Sequence, residues 1–155
     1  MVVEKLKGHE LFRLLSPKEV ERLSAASGVM KLNEGDRVYA DGFPATHLFV
    51  LLTGRVELRR PTKGGVGLLV DDLIAGSIFG VSSLTGMERH LLDAVCVQDS
   101  EVLKLEAKVL RQILDENLIA GYAIQRKVSE IFFKRYVEAM ERLQAVAQAM
   151  PVQRT

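Results

Sequence analysis

The sequence contains no tryptophan and a single cysteine, Cys96. One thiol excludes an internal disulfide and every Cys-rich zinc or iron–sulfur site. Cys96 falls in the apolar run "DAVCV", where a cysteine reads as a small buried hydrophobe. No apolar run approaches the roughly 20 residues a membrane span needs. Residues 1–10 carry Glu4, Lys5, Lys7 and Glu10 and no apolar signal core, so the expectation is a soluble protein of the reducing cytoplasm. Charge of one sign is lacking too. With 21 basic and 20 acidic residues the net charge is +1, which gives no global attraction to nucleic acid or to an anionic membrane. Locally, Arg55, Arg59, Arg60 and Lys63 make a basic patch that reads as a solvated hairpin. His9, His47 and His90 are scattered without metal-ligand spacing. Asp71 and Asp72 are neighbours, which in a strand sends them to opposite faces. There is no P-loop, no HExxH and no nucleophile–base arrangement, so an enzyme is not expected.

What is present is a chain of 155 residues, 48% hydrophobic and 26% charged, long enough for one domain with a core of its own. Its texture changes twice. In residues 1–28, a short helix around Glu10–Leu15 precedes "LSPKEVERLSAAS". There Ser16 is placed to cap, Pro17 suits the first helical position and Glu19 completes a capping box. Residues 29–106 break into short β-rich runs punctuated by glycine and proline, the pattern of a sandwich or barrel. Gly35, Gly42, Gly54 and Gly76 each sit at a turn. Residues 107–150 read as helix again: "AKVLRQILDEN", then a long stretch from about Leu118 to Ala149 that stops at Pro151. Within it Phe133, Tyr136, Met140, Leu143, Ala147 and Met150 recur in steps of three and four, the seam of a coiled coil. A homodimer through that seam is expected; the alternative packs the stripe on the β-block.

The segment "SIFGVSSLTGMERHLLDAV", residues 77–95, has the look of a phosphate loop: a tight glycine, two hydroxyls and an arginine. Yet Val81, Leu91 and Leu92 stand where such a loop wants polar groups.

Taken in order, "LFRLLSPKEVERLS", "LNEGDRVYADGFPATHLFVLLTGRVEL", "LIAGSIFGVSSLTG" and "DSEVLKLEAKVLRQIL" resemble the cyclic nucleotide-binding domains of the catabolite-activator and protein-kinase-A regulatory-subunit superfamily. The resemblance covers about residues 9–145. It implies an antiparallel jelly roll with an N-terminal helical pair and a long C-terminal helix. It also implies a phosphate and ribose cassette in the roll and, in the family's transcription factors, dimerisation through the long helix. Those factors carry a helix-turn-helix beyond that helix; here nothing resembling a DNA reader follows before Thr155, so DNA binding is not expected and output through a protein partner is.

Carried over residue by residue, the cassette begins at Phe79 and Gly80. The family's ribose-binding glutamate falls on Val81, which can neither donate nor accept. The phosphate-binding arginine falls on Arg89 when aligned forward from Gly86, or on His90 when aligned back from "DSEVL". The Ser/Thr-Ala pair after it becomes His90–Leu91 or Leu91–Leu92. Ser82, Ser83 and the loop's backbone N–H groups remain as donors. Hydrogen bonds to charged groups contribute about 1.5–3 kcal/mol each, so losing a carboxylate and one phosphate donor costs roughly 3–6 kcal/mol, or two to four decades of affinity. Cyclic AMP or GMP is therefore expected to bind far more weakly than to a complete cassette, with Val81, Leu91 and Leu92 filling the pocket instead. Two readings follow: a sensory module with a small effector inside the roll, or a ligand-free module for dimerisation and docking. Some relatives bind haem through His or Cys near the cassette, which by resemblance makes His90 and Cys96 candidate ligands in a third reading.

Overall fold

The computed structural model describes residues 2–65 and 67–150. Helix α1 (Val2–Lys7) and a 3-10 turn (Glu10–Phe12) lead into α2 (Pro17–Ala25). At α2 the capping box forms as the sequence predicts: the Glu19 N–H donates to Ser16 Oγ, and the Ser16 N–H donates to the Glu19 carboxylate. The six-residue α1 has no counterpart in the sequence reading.

Among the described residues eight strands follow: β1 (Ser27–Leu32), β2 (Arg37–Tyr39), β3 (His47–Thr53), β4 (Val56–Arg60), β5 (Leu68–Leu73), β6 (Ile78–Phe79), β7 (Asp93–Cys96) and β8 (Ser100–Glu106). They form two antiparallel four-stranded sheets, ordered β1-β8-β3-β6 and β2-β7-β4-β5. This is the jelly-roll architecture the sequence implies. Between the sheets lies a core of Tyr39, Phe49, Leu51, Val56, Leu58, Leu73, Phe79, Ala94, Cys96 and Val102.

In β3 the apolar run is unbroken, with Leu48, Phe49, Val50 and Leu51 all buried. Phe49 and Leu51 face the roll; Leu48 and Val50 face the other way, on the sheet against which α3 (Ala107–Glu116) packs. All four turn glycines named above have positive φ. At Gly54 the close approach is also steric, because a Cβ there would run into the Asp99 carbonyl and Ser100.

The chain divides into two compact units, Met1–Gly121 and Tyr122–Thr155, and α4 (Leu118–Ala149) runs from the first into the second. Along α4, burial ends at Val128. Beyond it, Phe133 is 66% exposed and Leu143 62%, and Tyr136, Met140 and Ala147 are exposed as well. The helix stop expected at Pro151 lies outside the described residues. Among the described residues no helix is long and apolar enough to cross a membrane.

Candidate functional site

The cassette is held by one strand pairing and one glycine. β6 runs antiparallel to β3, setting Phe79 opposite Phe49 and Ile78 opposite Val50. Gly80 then turns into the left-handed region, at φ 71°, and starts a 3-10 helix, Val81–Leu84. A Cβ on Gly80 would lie 2.8 Å from Phe49 Cδ2 and 3.0 Å from the His47 carbonyl oxygen. Only glycine meets both demands at this corner.

The short helix is tied down from inside. The Ser83 side chain is buried, and its hydroxyl donates to the Gly80 carbonyl at 2.8 Å. The Ser83 carbonyl in turn accepts from Arg111 Nη1 on α3 at 2.7 Å. Ser83 is thereby occupied as a donor, and its neighbour Ser82 gives its carbonyl to Thr85. Val81 is 3% exposed. An apolar side chain is sealed in at the position where the family resemblance puts a carboxylate.

After Gly86 the loop lies against residues 42–45 in a short ladder. The Gly42 N–H donates to the His90 carbonyl, the His90 N–H to the Phe43 carbonyl, and the Ala45 N–H to the Glu88 carbonyl, at 2.8–2.9 Å. Pro44 and Arg89 face each other as a β-bridge. Because side chains alternate along such a ladder, Arg89 and His90 part company. Arg89 is exposed, and its Nη1 donates to the Gly42 carbonyl at 2.8 Å. His90 is 3% exposed and stacks on Tyr39, ring centroids 3.7 Å apart and planes 12° from parallel. Phe49 and Phe79 complete the group, 5.3 Å from each other. Burial first, and then the charge of His47, push the His90 pKa down to about 4. At neutral pH its imidazole is uncharged.

The three residues expected to fill the site behave differently. Val81 is buried and Leu92 packs against the core. Leu91 is 46% exposed, and its carbonyl accepts from Arg60 Nη1 at 2.7 Å. Leu91 is therefore no part of a plug, since the ladder that turns His90 in turns its neighbour out. The basic patch is largely paired: Arg55 with Asp72, Arg59 with Glu57 at 2.8 Å, and Arg60 with Asp41 at 3.7 Å.

Cys96 is buried in β7, and burial pushes its thiol pKa up. A thiol held protonated does not suit metal ligation. The His90 nitrogens are the better donors for a haem iron, but Tyr39 covers that ring at van der Waals distance. Among the described residues no group of three or more His, Cys, Asp or Glu is placed to hold a metal ion.

Sequence reasoning missed Tyr39, Phe49 and Arg111. The scarcity of aromatics was the available signal for the first two. At 6% of the chain, rings that recur on the strands flanking "SIFG" are candidates for one cluster.

Residues 29–117 match the family described as Cyclic nucleotide-binding domain. The cyclic AMP receptor protein of Thermus thermophilus is 30% identical over 100 residues, a stretch covering 64% of this chain and 46% of that protein, so the match spans less than half of this relative. Among solved structures, the sensor domain of the transcriptional regulator DNR from Pseudomonas aeruginosa superposes with a TM-score of 0.76 at 25% identity, covering 87% of this chain and 91% of that one. The regulatory domain of Toxoplasma gondii PKA, solved with cAMP, gives a TM-score of 0.70 at 18% identity over 84% of this chain and 49% of that one.

Proposed function

This chain belongs to the cyclic nucleotide-binding domain family, and on that premise we propose that it is a cytoplasmic regulatory module, sensory rather than catalytic. Its cassette keeps the family's shape without its charge chemistry. A small effector held inside the roll alters what the C-terminal helix presents, and α4 pairs with a second copy through Phe133, Tyr136, Met140, Leu143 and Ala147. One observation carries the cassette reading: the sealed Val81 directly after the left-handed Gly80. A carboxylate there would accept from a ribose hydroxyl; a valine leaves that hydroxyl unpaired.

The likeness to a sensor domain supports the sensory reading. The pairing of Arg55, Arg59 and Arg60 with carboxylates supports output to a protein partner rather than to DNA from the roll's surface. The filled aromatic interior favours a second reading, a ligand-free module for dimerisation and docking.

Calorimetry with cyclic AMP and cyclic GMP tests the cassette. The unmodified protein should give no low-micromolar binding. Val81→Glu alone should add little, since a buried carboxylate without a partner is costly. Val81→Glu with His90→Arg, the two positions whose side chains face into the roll, should restore measurable affinity. Low-micromolar binding by the unmodified chain would show that Arg89, Ser82 and the loop amides suffice, and would end this reading. A Soret band in the purified protein would point to the haem reading instead.

A further inference from the structure

His90 stands out in the interior of the roll. It is 3% exposed, and its ring takes part in no hydrogen bond with the described residues. A neutral imidazole offers one donor and one acceptor, and neither is taken up within the described residues. The ring instead covers the face of Tyr39, beside Phe49 and Phe79. It lies there much as a planar ligand would.

The cationic side chains around the cassette are committed elsewhere. Arg89 donates to the Gly42 carbonyl, Arg60 to the Leu91 carbonyl, and Arg111 to the Ser83 carbonyl. An anion entering between the sheets would lose its hydration and find rings, Val81 and an uncharged imidazole. An uncharged planar molecule would exchange ring for ring on Tyr39 with little polar cost, and would give His90 the hydrogen-bond partner it lacks. His90 is itself part of the ladder with residues 42–45. Its N–H and C=O bond to Phe43 and Gly42, so parting those strands and swinging the ring away are one movement.

We propose that the effector of this roll is an uncharged, planar molecule carrying an N–H or O–H group, which displaces the His90 ring from Tyr39 and hydrogen-bonds to it. The inference rests on the sensory reading above and names the ligand class for that site.

Indole is a suitable probe, because the chain has no tryptophan and indole emission reports on the probe alone. Titration should give a saturable blue shift. His90→Phe, which keeps a ring and removes both nitrogens, should raise the dissociation constant about tenfold. His90→Gln should largely retain binding, and Tyr39→Leu should weaken it. Backbone amide spectra of each variant establish that the roll is folded. Indole-3-carboxylate, which adds a negative charge to the same ring, should not compete. Competition by the carboxylate, or tighter binding of cyclic AMP than of indole, would overturn the ligand class while leaving a sensory roll. Indole affinity unchanged in both His90→Phe and Tyr39→Leu would place the probe elsewhere and overturn the inference. No binding of either probe by a protein that still self-associates would remove the sensory reading along with the inference, in favour of the ligand-free module.

Discussion

The roll and the distal part of α4 treat the same kinds of residue in opposite ways. In the roll, Phe49, Leu51, Leu58, Phe79 and Val102 are buried between two sheets. After Val128 no residue of α4 is buried, although Phe132, Phe133, Val137, Met140, Leu143 and Val146 are all apolar. A strand reaches its burial partner by folding back on its own sheet; a long helix with a heptad seam needs another helix. The flanks of that seam carry no charge either, being Val137, Ala139, Gln144 and Val146. The two regions differ in where the rest of the core comes from: in the roll it is internal, and on the helix the proposed pairing would have a second copy supply it.

Charging the helix seam tests this contrast with the largest effect. Met140→Glu with Leu143→Glu should raise the dimer dissociation constant at least a hundredfold, because unpaired carboxylates would have to be buried in the seam. Sedimentation should then show monomer with the roll still folded. A double variant as dimeric as the parent would refute the seam.

The converse experiment strikes the roll and spares self-association. Gly80→Ala places a Cβ against Phe49 in a backbone conformation that only glycine adopts freely. It should cost about 2–4 kcal/mol in urea unfolding. A loss below about 0.5 kcal/mol would mean the corner relaxes and is not the fixed point described above.

The smallest effect is in the pH dependence. The ordinary histidine pKa is 6.5, and in the folded protein that of His90 is pushed down to about 4. The unfolded chain therefore takes up the proton first. His90 holds its full contribution to stability above pH 6.5 and loses it as the pH falls toward 4, at most about 3 kcal/mol across that window. Burial lowers the His47 pKa as well, in the same direction. The Glu19 carboxyl, held low chiefly by its hydrogen bond from the Ser16 N–H, acts only below 4.5. Between pH 6.5 and 4.5, His90→Phe should flatten the slope of the urea midpoint against pH. A variant with the wild-type slope would show that His90 is not the titrating group.

Most of the architecture could be read from the sequence because local signals agreed with the fold. Ser16-Pro17-Glu19 starts a helix by chemistry confined to four residues, and the turn glycines mark corners that need positive φ. The site could be read only in part. Phe79 and Gly80 located the cassette, but sequence alone left Arg89 and His90 interchangeable. A one-residue shift in an extended segment reverses which side chain faces in, and only the pairing of Pro44 with Arg89 decides it. For the same reason Leu91 read as part of the filling and is in fact exposed. The Tyr39–His90 stack joins residues far apart in the chain, so no local pattern announces it.

The strand order sets the timetable by which this chain becomes a protein. β8 lies between β1 and β3, so Ser27 faces Leu105 and Leu48 faces that same residue from the other side. Synthesis from the N-terminus delivers β1 and β3 long before the strand that joins them. Until residues 100–106 leave the ribosome, the apolar run of β3 offers a bare edge to any neighbouring chain. Closure of the roll is a late, long-range event, and a nascent chain stalled short of β8 is the form of this molecule most in need of a chaperone.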